Sequence, residues 1–265
     1  EDGIRDRDVT GVQTCALPIY VLETNPPFSI WMYAPAVAMS RLTGLRAESW
    51  VDISFIALAA ASLWWCGRFL RVAGAPMSAW TGVFAFAVLA LLPAACFGER
   101  EHLALILVLP PLAVAVARAA GASFSWSAIV FVGGLTALLL CIKPHFGLAV
   151  AAAAATGALL RRTWRPLFAP EHLIAGALFA AYAASTFALY PAYWDDVMPV
   201  LRLLYLPMRA PFRFMLHGRM AVTLAFIVVV AAMVVVITKA ERRAASPPRL
   251  VALAAAAGFF GAAVI

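Results

Sequence analysis

A series of long apolar runs, separated by short polar connections, constrains this chain more than any other feature. A helix needs about 20 apolar residues to cross a bilayer, and a chain that repeats such runs cannot bury them all in one aqueous core. The composition agrees, because 65% of the residues are hydrophobic and only 12% are charged. We therefore predict an all-α, polytopic transmembrane bundle of about eight spans. The predicted spans are 50–67, 80–97, 103–117, 127–142, 146–160, 173–190, 219–238 and 250–265.

A shorter amphipathic segment, NPPFSIWMYAPAVAMSRLTGL, precedes the first span. Its Trp31 and Tyr33 are residue types that favour the membrane–water interface. We expect this segment to form a helix that lies at the membrane surface or is partly inserted.

The two ends of the chain are interpreted separately. Residues 1–19, EDGIRDRDVTGVQTCALPI, are polar and aperiodic, unlike the rest of the sequence. They resemble the conceptual translation of sequencing-adapter DNA, so we expect them to be non-native, the alternative being an ordinary soluble tail. The last apolar run stops at Ile265, and we expect 20–265 to be an incomplete transmembrane domain.

The distribution of charge predicts the orientation in the membrane. Alternate connections are plainly basic, and the positive-inside rule assigns such connections to the cytoplasm. The opposite connections mix acidic residues, histidine, proline and aromatics, which places them on the outer face. The net charge of +7 therefore indicates a lipid bilayer as partner and no nucleic acid. The basic connections hold Arg68, Arg71, Arg118, Arg161, Arg162, Arg165, Lys239, Arg242, Arg243 and Arg249.

The outer connection CFGEREHL, residues 96–103, is the strongest candidate for a site. Ionisable groups at membrane depth are costly unless they are paired or face water, so they are functional candidates. Glu99 and Glu101 are close enough in sequence for one to be ionised while the other stays protonated, or for both to hold a divalent cation. His102 is a candidate helper. The alternative is a solvated turn in which Arg100 pairs with a neighbour.

Three further outer segments supply candidate substrate-binding residues. In CIKPHF a lysine can reach an anionic phosphate, although simple snorkelling to the interface explains it as well. The long segment from 190 to 219 interleaves arginines with aromatics, which suit phosphate and sugar faces, or an interfacial helix with an aromatic belt. ETNPPF adds two polar residues before a proline pair. The candidates are Glu23, Asn25, Lys143, His145, Tyr193, Arg202, Arg209 and Arg213.

These segments, in this order, resemble the GT-C superfamily of integral-membrane glycosyltransferases. NPPFSIW is similar to the "NPPL" segment of the first external loop in that superfamily, and FGEREHL is similar to a "GQREHLLL" segment of bacterial members. IKPHF and YPAYWDDVMPVLRLLY also resemble later motifs of the same proteins. The superfamily includes protein O-mannosyltransferases and lipid A aminoarabinose transferases.

The resemblance implies an enzyme of the bacterial inner membrane. It would transfer a sugar from a polyprenyl-phosphate carrier to a glycan, lipid or protein acceptor at the outer face, with inversion at the anomeric carbon. Some members need a divalent metal such as Mg or Mn. The principal acidic residue of the family lies upstream of the "PPL" segment, where this chain carries 1–19, so no numbered residue here matches it. A second acidic position matches Glu99 or Glu101.

Two other classes of protein fit the same sequence. A transporter or flippase of lipid-linked or small polar substrates would place charges near the bilayer midplane and show inverted repeats, whereas the charges here cluster at one face. A non-catalytic membrane subunit would use its outer loops to bind a partner. The presence of an Asp after a first transmembrane helix, upstream of Tyr20 in the complete gene, would favour catalysis over both.

Overall fold

The structure is a computed structural model, and it describes residues 26–91 and 93–208. Within that part of the chain all regular secondary structure is helical. Short 3₁₀ turns at Ala94–Cys96 and Pro144–Gly147 and a π-helix at Tyr193–Val197 interrupt the series. The α-helices are α1 (Phe28–Trp31), α2 (Ala34–Thr43), α3 (Ala47–Val72), α4 (Ala79–Leu91), α5 (Arg100–Ala119), α6 (Trp126–Ile142), α7 (Leu148–Arg161), α8 (Pro170–Leu189) and α9 (Met198–Met208).

The prediction of an all-helical chain is confirmed for the described residues, and three of its helices could span a membrane, whereas the number of spans stays a prediction. Helices α3, α5 and α8 have 26, 20 and 20 residues and are long and apolar enough to cross a membrane. Helices α4, α6 and α7 coincide with predicted spans but are shorter than α3, α5 and α8. The predicted spans 219–238 and 250–265 lie outside the described residues. The segment predicted as one surface helix forms two, α1 and α2.

Two boundaries differ from the sequence prediction. Helix α4 ends at Leu91 instead of continuing to residue 97, because Pro93 cannot donate a helical hydrogen bond and Ala94 adopts a φ of +47°. Helix α5 begins at Arg100, so Glu101 and His102 belong to its first turn and not to a loop. An acidic residue in a first turn is stabilised by the helix dipole, which favours this early start.

Helix α5 is the centre of the bundle. It packs against α3, α6 and α7, and α8 packs on the far side of α6. The core between these helices includes Ile106 and Val108 of α5 and Leu139 of α6, all almost fully buried. Small residues such as Ala149 and Ala153 line the buried face of α7, which lets the helix backbones approach closely.

Helix α5 contains two consecutive prolines at its middle, and α3 compensates for one of them. Pro110 has no N–H, so the carbonyl of Ile106, four residues earlier, loses its helical donor. The hydroxyl of Ser62 on α3 donates a hydrogen bond to that carbonyl at 2.7 Å. A buried carbonyl is therefore satisfied by a neighbouring helix, as the absence of water in a bilayer core requires.

The helices alternate in direction, so the connections fall at two ends of the bundle. We call the end that holds the α5–α6 and α7–α8 connections, with Arg118, Arg161 and Arg165, the arginine end. We call the end that holds the α4–α5 and α6–α7 connections, with Glu101 and Lys143, the Glu101 end. This arrangement agrees with the alternation expected from the basic connections.

Candidate functional site

An ion pair joins the two connections at the Glu101 end. The Nζ of Lys143 donates a hydrogen bond to Oε1 of Glu101 at 2.5 Å, across 42 residues of sequence. The backbone of Lys143 is extended where α6 ends before Pro144. Its ammonium also lies 5.9 Å from the ring centre of Phe146. The side chains are 45% and 31% exposed for Glu101 and Lys143, respectively. Both charges are therefore fixed in place and still accessible to a ligand.

A tight turn before α5 positions Glu101. Gly98 has a φ of +81°, and a Cβ built on it would lie 3.0 Å from Val51, so glycine suits this position for two reasons. The N–H of Gly98 donates to Nδ1 of His102 at 3.2 Å, and its carbonyl accepts from the hydroxyl of Tyr33 at 2.9 Å. The turn is thus held from both sides, once by α5 and once by the segment before α2.

His102 is a buried part of this turn. Its ring packs against Phe55 and Phe97, with centroid distances of 5.4 and 4.8 Å. Because Nδ1 accepts a hydrogen bond from an N–H group, the proton of a neutral ring lies on Nε2. Nε2 is buried without a well-formed hydrogen bond to any described residue. Such an arrangement suits a residue that positions the turn and, through it, Glu101.

An aromatic cluster attaches α1 to the end of α8. The backbone N–H of Phe28 donates to the hydroxyl of Tyr182 at 3.2 Å. The indole N–H of Trp31 donates to the hydroxyl of Tyr190 at 3.0 Å, with the two rings 5.7 Å apart. The backbone N–H of Tyr193 donates to the carbonyl of Tyr190, so the π-helix begins at this cluster. The segment PPFSIWMY, residues 26–33, therefore contacts two separate connections at the Glu101 end, at Gly98 and at Tyr190.

His145 follows the ion pair in the α6–α7 connection. Burial lowers the pKa of its imidazole, and the nearby ammonium of Lys143 lowers that pKa further, while Glu101 opposes the effect. A lowered pKa keeps the ring neutral at neutral pH, where one ring nitrogen can accept a proton or a hydrogen bond.

The remaining predicted site residues divide into three groups. Glu99 is exposed at the N-cap of α5, and its side chain makes no capping hydrogen bond. Arg202 is exposed on α9. Glu23, Asn25, Arg209 and Arg213 lie outside the described residues.

The described residues do not assemble a complete metal site. No three His, Cys, Asp or Glu side chains within them converge as ligands. Of the two glutamates predicted as metal ligands, Glu101 has an oxygen on Lys143, whereas Glu99 is open to solvent.

Sequence reasoning missed the contacts of Trp31 and Tyr33. It interpreted both as interfacial aromatics, although each forms a hydrogen bond to a connection at the Glu101 end. Their position directly after the proline pair was the available signal, because a short segment fixed by prolines presents its polar ring atoms in a defined direction.

The fold defines the class of this protein as a helical membrane protein, with three helices capable of crossing a bilayer by length and composition. No protein-family model, curated protein or solved structure matches the chain.

Proposed function

We propose that this chain is part of a GT-C-type membrane glycosyltransferase, which transfers a sugar from a polyprenyl-phosphate carrier to an acceptor hydroxyl at the Glu101 end. One observation carries the proposal: an accessible carboxylate and an accessible ammonium, Glu101 and Lys143, lie 2.5 Å apart where two connections meet. The order of the sequence segments that resemble GT-C enzymes supports it.

The pair supplies the two charges that this reaction requires. The acceptor oxygen attacks the anomeric carbon while the bond from that carbon to the phosphate oxygen breaks, and the phosphate leaves with the bonding electron pair. Glu101 accepts the proton of the acceptor hydroxyl as general base. Lys143 neutralises the charge that develops on the leaving phosphate.

The ion pair is also the state that the proposed site would adopt in the absence of substrate. A lipid-linked phosphate competes with Glu101 for the Lys143 ammonium, and binding of the phosphate frees the carboxylate for the acceptor. An exposed ion pair contributes only about 0–1 kcal/mol to stability, so opening it costs little. His145, adjacent and neutral, can hydrogen-bond either substrate.

Other predicted residues take supporting roles in this proposal. Trp31 and Tyr190 offer aromatic faces at the same end of the bundle, and such faces suit sugar rings. Glu99 is the second candidate carboxylate, since it is exposed and precedes α5. Arg202, Arg209 and Arg213 are further candidates for holding the carrier phosphate. His102 positions the Gly98 turn.

The test is a transfer assay on the protein encoded by the complete gene, reconstituted with a radiolabelled polyprenyl-phosphate sugar and membrane acceptors. Glu101→Gln is expected to lower the turnover rate at least about hundredfold, the range typical of a lost general base. Lys143→Gln is expected to lower it similarly, and Lys143→Arg to restore part of the rate because it keeps the positive charge. Glu99→Gln distinguishes the two glutamates.

The matched control is Glu48→Gln, which removes an exposed carboxylate paired with Arg46 at 3.6 Å. It should transfer sugar at the wild-type rate. Wild-type rates in both Glu99→Gln and Glu101→Gln would contradict the proposal. Movement of the intact lipid-linked sugar across the vesicle, without transfer, would instead identify a flippase.

A further inference from the structure

We propose a second binding site, for a phosphate group, in a cavity at the arginine end. The cavity has a volume of about 800 Å³ and lies between the α5–α6 connection, the α7–α8 connection and the start of α8. Arg118, Arg161, Arg165 and Thr163 line it together with apolar residues. The proposal is independent of the transferase chemistry at the Glu101 end, because it concerns the opposite end of the bundle.

Arg118 is held rigidly at the base of this cavity. Its Nε and Nη2 donate to the two carboxylate oxygens of Glu171 at 2.6 and 2.8 Å, and Glu171 is only 3% exposed. The guanidinium also lies 5.5 Å from the ring centre of Phe124. A guanidinium has about five N–H donors, so this bidentate pair leaves donors for a ligand. A prearranged donor loses little entropy when it binds an anion.

Arg161 and Arg165 supply further positive charge to the lining of the cavity. Both are exposed and flank Thr163 in the α7–α8 connection. Arg161 lies against the α5–α6 connection, since a Cβ built on Gly121 would be 3.2 Å from its Nη2. The two connections therefore converge, and their cations face one space although they are far apart in sequence.

The lining of the cavity favours an anion with several oxygens. Its described residues include three arginines and a hydroxyl but no carboxylate, since Glu171 lies beneath with both oxygens on Arg118. Arginine forks and a hydroxyl match the tetrahedral oxygens of phosphate. The start of α8 adds the positive end of a helix dipole at Pro170, which also lines the cavity.

The position of the cavity along the bundle is consistent with a ligand at the level of the lipid headgroups. Helices α5 and α8 have 20 residues each, and about 1.5 Å of rise per residue makes them roughly 30 Å long, the thickness of the hydrocarbon core. Their ends at the arginine end then lie at the level of the headgroups. The phosphate of an anionic lipid and a soluble phosphate share the chemistry that the cavity recognises, and the experiment distinguishes them.

The chain offers a matched control for charge alone. Arg162 lies between Arg161 and Thr163 and is exposed, yet it lines a different cavity with Trp164 and Leu167. Its removal changes the net charge of the same connection by the same amount. A diffuse electrostatic attraction to lipid would respond equally to Arg162, Arg161 and Arg165, whereas a built site would not.

The experiment compares the single variants Arg161→Gln and Arg165→Gln with Arg162→Gln in the full chain, so that each variant removes one positive charge. In the lipid arm, native mass spectrometry counts phosphatidylglycerol retained by protein from phosphatidylcholine nanodiscs that contain it. In the soluble arm, binding of ³²P-labelled inorganic phosphate is measured in pure phosphatidylcholine nanodiscs. All three substitutions change exposed side chains, and equal thermal-unfolding midpoints verify that the variants fold.

The expected result is that Arg161→Gln and Arg165→Gln each weaken binding of at least one probe by about tenfold or more, while Arg162→Gln changes it less than about twofold. Retention of phosphatidylglycerol that depends on the cavity assigns the site to a lipid headgroup, and cavity-dependent binding of inorganic phosphate assigns it to a soluble ligand. Equal effects of Arg162→Gln and of the two single cavity variants, or no binding of either probe by the wild type, overturn the proposal.

Discussion

Gly133 of α6 and Ile174 of α8 touch so closely that no side chain fits between the helices. A Cβ built on Gly133 would lie 2.8 Å from the Cβ of Ile174 and 3.0 Å from the carbonyl oxygen of Glu171. A Cβ built on the adjacent Gly134 would have no heavy atom within 4 Å. One glycine of the pair is therefore required for packing and the other is not.

This contrast predicts opposite effects for two neighbouring substitutions. Gly133→Ala should lower the free energy of unfolding by about 1–3 kcal/mol, because the methyl group forces α6 and α8 apart. Gly134→Ala should be neutral or raise it by up to about 1 kcal/mol, since alanine is the better helix former. Titration with a denaturing detergent measures both. Equal losses for the two variants would contradict the close contact.

The hydroxyl of Ser62 is predicted to be necessary for stability. Ser62→Ala leaves the carbonyl of Ile106 buried and without a donor, which costs about 1–3 kcal/mol. Thr136→Val is the matched control, because the hydroxyl of Thr136 is also buried but donates to the carbonyl of Val132, whose helical donor is intact. The control should lose less than about 1 kcal/mol in the same unfolding titration. A Ser62→Ala variant as stable as the control would show that the Ile106 carbonyl, which lacks a donor at Pro110, does not need the Ser62 hydroxyl for stability.

The pair of Arg118 and Glu171 should matter more than an exposed ion pair. Glu171→Gln leaves the Arg118 guanidinium partly buried without a counter-charge and is expected to destabilise the fold by about 3–5 kcal/mol. The comparison is Glu48→Gln, whose ion pair with Arg46 is mostly exposed and should contribute less than about 1 kcal/mol. Thermal unfolding followed by size-exclusion chromatography measures the difference. Similar midpoints in the two variants would refute a structural role for Glu171.

Cys96 provides a test of orientation in the membrane. It is exposed at the Glu101 end, whereas Cys66 and Cys141 are buried. In a Cys15→Ser background, a membrane-impermeant maleimide should label Cys96 in intact cells if this end faces outward. In the same background with Cys96→Ser, Arg162→Cys should be labelled only after permeabilisation. The reverse pattern would invert the predicted orientation.

The sequence was sufficient to locate the helices of the bundle but not to pair their side chains. Apolar length alone predicts α3, α5, α6 and α8 closely, because burial in lipid is a property of each run by itself. The end of α4 was missed although Pro93 is a signal in the sequence for a helix end, because the prediction followed the apolar run past it. The positive φ of Ala94, which also ends the helix, is not reported by apolar periodicity.

The ion pairs were missed for a different reason. Glu101 pairs with Lys143 across 42 residues and Arg118 with Glu171 across 53, and such contacts depend on how helices are arranged around α5. The sequence pattern indicated only that Arg118 is one of several basic residues in the connections, although the buried carboxylate of Glu171 holds it. Topology placed Glu101 and Lys143 on one face, but only the arrangement of α5 beside α6 brings the two side chains into contact.

The prolines of α5 have a consequence for the order of biosynthesis. Ser62 precedes Ile106 in the chain, so α3 is synthesised first and its hydroxyl is already available when α5 enters the bilayer. The carbonyl exposed by Pro110 can thus be satisfied as soon as the two helices meet. Arg118, at the end of the same helix, must wait for Glu171, which emerges 53 residues later. During synthesis, the buried carbonyl in the middle of α5 therefore finds its partner before Arg118 at the end of the helix does. A nascent chain that stops short of α8 carries an unpaired charge at Arg118.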